Sequence, residues 1–295
     1  MADQSVAAVV VTYDGLPWIE QCLQSLDGVE TVVVDNGSRD GTVAVVRERF
    51  PAVRFVEQEN LGLAAGWNRG VEETHSDHVL IVNADAWLVG DALEALVRTM
   101  QRRPRAAWVG PRLRNPDGTL QRSVRGLPSV WRLATEYLFL RKLAPRSRVL
   151  NAFYGAGFDH ASERAVESTM GSCMLVRRAA LEDVGLFDAD FFLFSEETDW
   201  CRRARDAGWE IVFTPAAECV HVGGASHGGR LFRENVGGHL RYLRKHEGVR
   251  AAERARRLLR AALRLRALLF RGERGAVYRD AAAWLADDVD TLLRR

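Results

Sequence analysis

The chain has 295 residues, of which 47% are hydrophobic and 27% are charged, so it can bury a sizeable core and is not expected to be disordered. Its formal net charge of +2 is close to neutral for this length and gives no support for nucleic-acid binding. The four cysteines are far apart and form no C-x-x-C pair, which argues against a zinc knuckle or a disulfide framework and favours a reducing compartment.

The N-terminus predicts a cytoplasmic protein. Met-Ala-Asp-Gln-Ser leads directly into an apolar segment, with no basic n-region and no small-residue cleavage site, so a secretory signal is not expected. No run of about 18 apolar residues lacks a charge, so no membrane-spanning helix is predicted.

The first hundred residues alternate short β-branched apolar runs with segments of helical spacing. Strands are predicted at 6–12, 30–34, 53–57 and 78–82, and helices at 18–26, at 42–50 and from the glycine-rich stretch 60–70. This alternation is typical of a parallel sheet covered by helices. Polar residues collect where the predicted strands end, and open α/β sheets bind ligands at that edge.

The rest of the chain is less regular. Residues 104–168 mix proline, glycine, arginine and aromatic residues, which predicts long loops with one helix near 131–143. Strands follow at 170–176 and 211–214, and helices at 178–184 and 198–207. From 250 to 274, arginine alternates with leucine and alanine, as in a basic amphipathic helix. No internal repeat is found.

Two polar clusters follow predicted strands in the first half. Asp35 opens the segment 35–42, where a carboxylate can accept hydrogen bonds from ribose hydroxyls or a pyrimidine N–H. Taken alone, this cluster is better explained by an Asx turn followed by a helix cap at Ser38 or Asp40. Asn83 and Asp85 follow a strongly apolar strand, where one aspartate can bind Mg²⁺ or Mn²⁺ together with diphosphate oxygens. A simple turn is the alternative.

A third cluster places Glu196, Glu197 and Asp199 after the apolar run 191–194. A carboxylate held against an apolar wall can act as a general base. The alternative is a helix N-terminus, where acidic residues favour the macrodipole. His221 is a candidate metal ligand, although a single histidine is more often structural.

Taken in this order, the motifs resemble those of the inverting family-2 glycosyltransferases with the GT-A fold, especially the rhamnosyltransferase-like branch. The resemblance covers roughly residues 5–245. It is carried by the opening strand 9–13, the turn 34–38, an N-x-G-x-x-x-G-x-N-x-G block at 60–70, a D-x-D-like block at 82–86, and the blocks 171–178, 187–188 and 196–199.

The resemblance implies an α/β protein with a Rossmann-like, mainly parallel central sheet flanked by helices and a C-terminal helical extension. Residues 1–245 would form the catalytic domain, with a nucleotide-sugar-binding half at 1–103 and an acceptor and base half at 104–245. Residues 246–295 would form the extension.

The resemblance also implies roles for individual residues. The nucleotide-sugar-binding residues would be Thr12, Tyr13, Asp35, Gly62, Asn68, Asn83 and Asp85. Asp85, with His221 as a further ligand, would hold the cation, Mg²⁺ or Mn²⁺. The base of this family is usually the aspartate of an E-D pair, which reads Glu196-Glu197 here. We therefore predict Glu197 as the base, with Glu196 and Asp199 as rivals.

The implied reaction moves a sugar, suggested by the branch to be rhamnose, from a nucleoside-diphosphate donor to an acceptor hydroxyl of a lipid-linked or cell-surface glycan. A Rossmann dehydrogenase is set aside because no G-x-G-x-x-G follows the first strand. A non-catalytic relative that binds a nucleotide sugar is the alternative, because position 197 lacks the usual aspartate.

The basic helix predicted at 250–274 suggests peripheral contact with the inner face of the cell membrane. Its apolar residues would enter the bilayer interface while its arginines reach anionic headgroups. The apolar residues are Leu258, Leu259, Leu263, Leu265, Leu268, Leu269 and Phe270, and the arginines are Arg254, Arg257, Arg260, Arg264 and Arg271. The alternative is that the stripe packs on the catalytic domain or on a second subunit of a homodimer.

Overall fold

The computed structural model describes residues 5–151, 153, 158–223 and 229–294. Its first third has the predicted alternation of strands and helices, because valine-rich runs favour extended backbone between segments of helical spacing. The elements are β1 (Val6–Thr12), α1 (Ile19–Gln24), β2 (Glu30–Asp35), α2 (Thr42–Arg49), β3 (Arg54–Glu57), α3 (Leu63–Glu72), β4 (His78–Asn83), β5 (Ala86–Val89) and α4 (Ala92–Arg102).

The remaining elements include several strands that the sequence did not reveal. They are β6 (Ala106–Arg114), β7 (Leu120–Gln121), β8 (Val124–Arg125), α5 (Val130–Tyr137), α6 (Leu140–Leu143), β9 (Arg164–Val166), β10 (Ser168–Thr169), β11 (Cys173–Arg177), α7 (Arg178–Val184), α8 (Glu196–Asp206), β12 (Glu210–His221), α9 (Gly229–Glu247), α10 (Val249–Leu269), α11 (Gly272–Trp284) and α12 (Val289–Leu293).

A ten-stranded sheet forms the centre of the fold within the described residues, with the order β3-β2-β1-β4-β11-β6-β12-β5 and with β7 and β9 beside β6 and β12. The pairings make β1, β2, β3, β4, β6 and β12 run in one direction and β5, β7, β9 and β11 in the other. The sheet is therefore mixed and mainly parallel, as predicted. Successive side chains alternate between two buried faces, one packed on α1 and α4 and the other on α3 and α8.

The chain divides into two compact units. The first comprises residues 1–124, 159–192 and 196–223 and contains the ten-stranded sheet; the second comprises 125–158, 193–195 and 224–295 and is helical. The sequence-based division at 245/246 differs from this one, since α9 and the segment 125–158 belong to the helical unit. The functional division into catalytic domain and extension stays a prediction.

Two helix predictions need correction. The helix expected at 131–143 is interrupted, because Phe139 has a left-handed φ of 59° and separates α5 from α6. The basic helix expected at 250–274 ends at Leu269: Phe270 is extended, Gly272 has φ +67°, and a separate helix follows. Nowhere in the described parts of the chain is a helix long and apolar enough to cross a membrane.

A buried arginine organises the helical unit. Arg266 on α10 is 6% exposed, and its guanidinium donates to the carbonyl oxygens of Tyr137 and Glu136 at 2.8 and 2.7 Å. It also lies 4.0 Å from the ring centroid of Phe139 and 5.5 Å from that of Tyr278. The buried charge is tolerated because it is stabilised by the two hydrogen bonds and by cation–π contacts with the aromatic rings. These contacts connect α10 to α5 and α11.

Candidate functional site

A row of polar residues crosses four adjacent strands at one end of the sheet. Thr12 at the end of β1 lies opposite Asp35 at the end of β2, and the preceding Val11 lies opposite Asn83 at the end of β4. Across the next pair, the Asn83 amide N–H donates to the carbonyl oxygen of Ser172 at 2.9 Å, just before β11 begins. The carboxyl ends of parallel strands meet here, which is where such sheets bind ligands.

Several buried oxygens in this row make no hydrogen bond within the described residues. They are Thr12 Oγ1, Asp35 Oδ1, Asn83 Oδ1 and Ser172 Oγ. Buried polar atoms are normally hydrogen-bonded, since an unsatisfied one costs about 1–3 kcal/mol. Thr12 and Asp35 continue the face of Val10 and Val33, whereas Asn83 and Ser172 continue the opposite face of Ile81 and Met174. Unsatisfied oxygens on both faces of this edge indicate that it is built to receive a polar molecule.

Asp35 serves both as a turn residue and as a candidate ligand. Its Oδ2 atom accepts hydrogen bonds from the amides of Gly37 and Ser38, each at 2.9 Å, as in the Asx turn that was the alternative interpretation. Its Oδ1 atom, also buried, makes no such bond within the part of the chain that the structure describes. The turn therefore orients the carboxylate, and nucleoside contact through its second oxygen stays a prediction.

Gly62 gives the segment before α8 room to approach α3. It has φ +97°, and a side-chain Cβ at this position would lie 2.5 Å from the carbonyl oxygen of Phe192. The amide of Leu63 donates to that same carbonyl oxygen at 2.8 Å. The carbonyl of Gly62 in turn accepts from the side-chain amide of Asn36 at 3.2 Å. Only glycine fits both the backbone conformation and the contact.

The two other predicted nucleotide-binding residues are placed differently. Tyr13 is 55% exposed directly after β1, so its ring is accessible to a ligand. Asn68 instead brackets the backbone of Phe187: its Nδ2 donates to the carbonyl at 2.7 Å and its Oδ1 accepts from the amide at 3.0 Å. The contacts give Asn68 a structural role on α3, and nucleoside contact through its side chain stays a prediction.

Asp85 and His221 are brought together although 136 positions separate them. Strand β12 pairs with β5 so that His221 lies opposite Ala86, the residue after Asp85. His221 Nε2 lies 3.6 Å from Asp85 Oδ1. The main chain fixes the carboxylate as well, because the Gly223 amide donates to Asp85 Oδ2 at 3.3 Å.

The histidine ring is oriented by Gln121. Its Nδ1 lies 2.7 Å from Gln121 Oε1, and the Gln121 side-chain nitrogen donates to Asn115 Oδ1 and to the His221 carbonyl. This pattern assigns the proton to Nδ1 and leaves a lone pair on Nε2, which is the atom near Asp85. Burial lowers the pKa of His221 while the Asp85 charge opposes this, so the neutral, metal-binding form is favoured.

The Asp85 and His221 pair fits a divalent cation. A carboxylate and a neutral imidazole supply one oxygen and one nitrogen, and the Gln121 amide holds the far side of the imidazole, as is usual for metal-bound histidine. Within the described residues, no group of three or more His, Cys, Asp and Glu side chains could hold a metal ion by itself. Mg²⁺ and Mn²⁺ bind in this incomplete way when substrate phosphates supply the other ligands.

The acidic cluster forms the first turn of α8, two residues earlier than predicted. Phe194 and Ser195, just before it, have left-handed φ values of 69° and 74°, a conformation typical of functional sites when non-glycine residues adopt it. Glu196 is 4% exposed, and burial, reinforced by the charge of Glu197, raises its pKa well above the usual range. Glu196 therefore tends to keep its proton, which favours Glu197 as the base.

Asp199 is engaged in structure. Its buried carboxylate accepts a hydrogen bond from Arg203 Nε at 2.9 Å. Arg203 also donates to the carbonyl oxygens of Val184 and Leu186 at 3.0 and 2.8 Å. This ion pair fastens the first turn of α8 to the end of α7, which favours a structural role for Asp199 over that of a base.

Gly171 connects the acidic turn with the polar row. A Cβ at Gly171 would lie 3.2 Å from the Cβ of Glu197 and 2.7 Å from the ring of Trp67, so glycine is needed for Glu197 to come this close. Ser172, the next residue, bonds to Asn83 as described above. Glu197 thus lies beside the β11 end of the polar row.

Sequence reasoning missed two residues of this site. Ser172 lies in a block that the resemblance singled out, and strand alternation from Cys173 onward would have placed it on the same face as Met174. Gln121 carried no sequence signal, because β7 has only two residues and its pairing with β6 brings it to His221.

Comparison with known proteins gives a family and a fold. The model of the family described as Glycosyl transferase family 2 matches residues 7–185. The chain is 35% identical over 230 residues to the N-acetylglucosaminyl-diphospho-decaprenol L-rhamnosyltransferase of Mycobacterium tuberculosis strain H37Rv, covering 72% of this chain and 74% of that protein.

Solved structures of low sequence identity share the fold. The mannosyltransferase PcManGT from Pyrobaculum calidifontis, in complex with GDP-Man and Mn²⁺, matches with a TM-score of 0.57 and 19% identity, covering 95% of this chain and 86% of that one. GalNAc-T7 with UDP, GalNAc and Mn²⁺ matches with a TM-score of 0.58 and 11% identity, covering 81% of this chain and 47% of that one.

Proposed function

The chain belongs to glycosyltransferase family 2, and we propose that it transfers rhamnose from a nucleoside diphosphate to a lipid-linked acceptor, with inversion at the anomeric carbon. The observation that carries the proposal is the row of unsatisfied buried oxygens at the carboxyl edge of the sheet, together with the Asp85–His221 pair after β4 and Glu197 beside the start of β11. The M. tuberculosis relative supports the choice of substrates, because its name gives L-rhamnose as the sugar and N-acetylglucosaminyl-diphospho-decaprenol as the acceptor.

The donor would lie along the polar row. Asp35, Thr12 and Tyr13 would contact the nucleoside, and Asp85 and His221 would hold Mg²⁺ or Mn²⁺ with the diphosphate. A bound cation would neutralise the charge that builds on the leaving diphosphate. Mn²⁺ in the two similar structures supports this assignment.

The acceptor would be activated by Glu197. Its carboxylate would take the proton of the attacking hydroxyl as the oxygen approaches the anomeric carbon from the face opposite the diphosphate. A single displacement of this kind inverts the configuration and needs no covalent intermediate. Glu196, which tends to stay protonated, would leave this role to its neighbour.

We expect one nucleoside diphosphate, and its sugar, to stabilise the purified protein in the presence of Mn²⁺ or Mg²⁺. A ligand at 100 times its Kd stabilises the folded state by about 2.7 kcal/mol, which corresponds to a rise in melting temperature of several degrees. The measurement is thermal unfolding with dTDP, UDP, GDP and their sugars, with and without metal. Strongest stabilisation by dTDP-rhamnose supports the proposal, whereas no shift with any nucleotide contradicts it.

We propose in addition that the helical unit contacts a membrane peripherally through the C-terminal end of α10. Leu259 and Leu263 were predicted to enter the bilayer, but they are buried among the unit's own helices and cannot do so. Leu265, Leu268 and Leu269 are 48%, 83% and 64% exposed. Three exposed leucines on two turns indicate a surface for an apolar partner.

The charges around these leucines favour an anionic membrane. Leu268 lines a groove together with Arg264 and Arg279. The rest of the groove is lined by Ala267, Ala282 and Ala283. Arg271 is exposed just beyond the end of α10. Leucines flanked by arginines match a bilayer interface with anionic headgroups, and a peripheral site of this kind would bring the enzyme to a lipid-linked acceptor.

We expect the protein to sediment with vesicles of phosphatidylcholine and phosphatidylglycerol, and the triple variant Leu265→Gln/Leu268→Gln/Leu269→Gln to remain in the supernatant. Leu143→Gln is the matched control, because Leu143 is 77% exposed on α6 and lies outside the patch. If the wild-type chain does not sediment with the vesicles, the membrane proposal is wrong. It is also wrong if light scattering shows that the triple substitution turns a dimer into a monomer, and that result favours the second-subunit alternative.

A further inference from the structure

Ser172 and Asn83 form a cross-strand pair on the face of the sheet that α8 covers. Val82 lies opposite Cys173 in the antiparallel pairing of β4 and β11, so Asn83 and Ser172 are the next opposite residues. Opposite residues in such a pair have Cβ atoms about 5 Å apart. Their side chains therefore lie next to each other.

Strand alternation decides which face they occupy. Val82 and Cys173 belong to the core that packs on α1 and α4, whereas Ile81 and Met174 belong to the core that contains Trp200 of α8. Asn83 and Ser172 continue the second set, because side chains one position apart point to opposite faces. The pair thus lies on the same side as the helix that carries Glu197.

Both members of the pair have a buried oxygen available for a ligand. Ser172 is 3% exposed, and neither its Oγ nor Asn83 Oδ1 makes a hydrogen bond to any described residue. A hydroxyl and an amide side by side present donors and acceptors at one spot. This combination can both donate to and accept from a hydroxyl group, as recognition of a sugar requires.

We infer that Ser172 and Asn83 bind the sugar ring of the donor, and that Ser172 is a specificity-determining residue. The inference rests on the proposed function. In an inverting transfer, the sugar must lie between the diphosphate and the base. Asn83 is two residues before Asp85, at the diphosphate end, and Ser172 follows Gly171, which abuts Glu197. The pair therefore lies where it would hydrogen-bond to a hydroxyl group of the transferred sugar.

The test compares a nucleoside diphosphate with its sugar. The ligand is dTDP-rhamnose or, if one of them binds the wild type better, UDP-N-acetylglucosamine or GDP-mannose. Ser172→Ala is expected to bind this nucleotide sugar about tenfold more weakly than the wild type does, because one hydrogen bond is lost. Its affinity for the corresponding free nucleoside diphosphate should stay within about twofold, because that ligand lacks the sugar. Titration calorimetry with Mn²⁺ present measures both affinities.

Ser123→Ala is the matched control, since Ser123 is 1% exposed with an unsatisfied hydroxyl outside the pair. It should leave both affinities unchanged. If Ser172→Ala unfolds, Ser172→Cys keeps the size of the side chain and weakens only the hydrogen bond. If Ser172→Ala loses affinity equally for the nucleoside diphosphate and the nucleotide sugar, or loses affinity for neither, the inference is wrong but the proposed function stands. A wild-type chain that binds none of these nucleotides overturns the proposed function, and the inference with it.

Discussion

Asp85→Ala is expected to abolish stabilisation by nucleotide plus Mn²⁺ and to lower turnover by about 100-fold or more. The aspartate supplies the carboxylate of the proposed metal-binding pair with His221, and its loss would leave a bound cation with a neutral imidazole as its remaining ligand from that pair. A metal ion contributes several kcal/mol of charge stabilisation at a departing phosphate, and about 2.7 kcal/mol corresponds to 100-fold in rate. Melting curves with a nucleotide and Mn²⁺, followed by initial rates, measure both effects.

Asp91→Ala is the control for this change. Asp91 carries the same charge, but its side chain is 76% exposed and pairs with Arg98 at the surface. Exposed pairs of this kind contribute about 0–1 kcal/mol, so nucleotide binding and turnover should be unaffected. Metal-dependent stabilisation that survives in Asp85→Ala would show that the cation is held elsewhere.

Glu197→Gln is expected to lower kcat by about 10²- to 10⁴-fold while the affinity for the nucleotide sugar stays close to that of the wild type. The amide has nearly the size of the carboxylate but cannot accept the acceptor's proton, and general bases contribute factors of this order. Single-turnover rates, together with calorimetric titration of the donor, separate the two quantities.

The neighbouring acids provide matched variants. Glu196→Gln should have a much smaller effect on kcat, because burial already favours the neutral form of this side chain. Asp199→Asn should mainly destabilise the fold, by about 1–3 kcal/mol, because it weakens the charged hydrogen bond from Arg203. A loss of turnover in Glu196→Gln as large as that in Glu197→Gln would move the base to Glu196.

The family and the enzyme class were predictable from the sequence, and both are confirmed. Strands β1, β2 and β4 were predictable because each contains a β-branched apolar run, and the short β3 because it continues the alternation of strands and helices. The GT-A fold class is confirmed as well. Strand β6 was hidden in the segment expected to be irregular. Its Gly110, Pro111 and arginines read as a loop, yet Arg112 and Arg114 pair with Glu218 of β12 across the sheet.

The site was predictable only in part. Asp85 could be singled out because it closely follows an apolar strand, and the resemblance joined it to His221, but the physical reason for their contact is the pairing of β5 with β12. Strand β5 has four residues, and no local signal set it apart from the turn before it. The assignments within the acidic turn were left open by the sequence, since burial and the ion pair of Asp199, rather than residue type, favour Glu197 as the base.

The close approach of Gly62 to Phe192 restricts how this enzyme can be recombined with its relatives. The glycine opens the donor-side helix α3, while the carbonyl it accommodates belongs to the segment that leads toward the acidic turn. A chimaera that imports this segment from another transferase must also import a compatible residue at position 62. Grafting the segment around Phe192 into a relative that lacks this glycine therefore requires paired changes in two parts of the sequence about 130 residues apart.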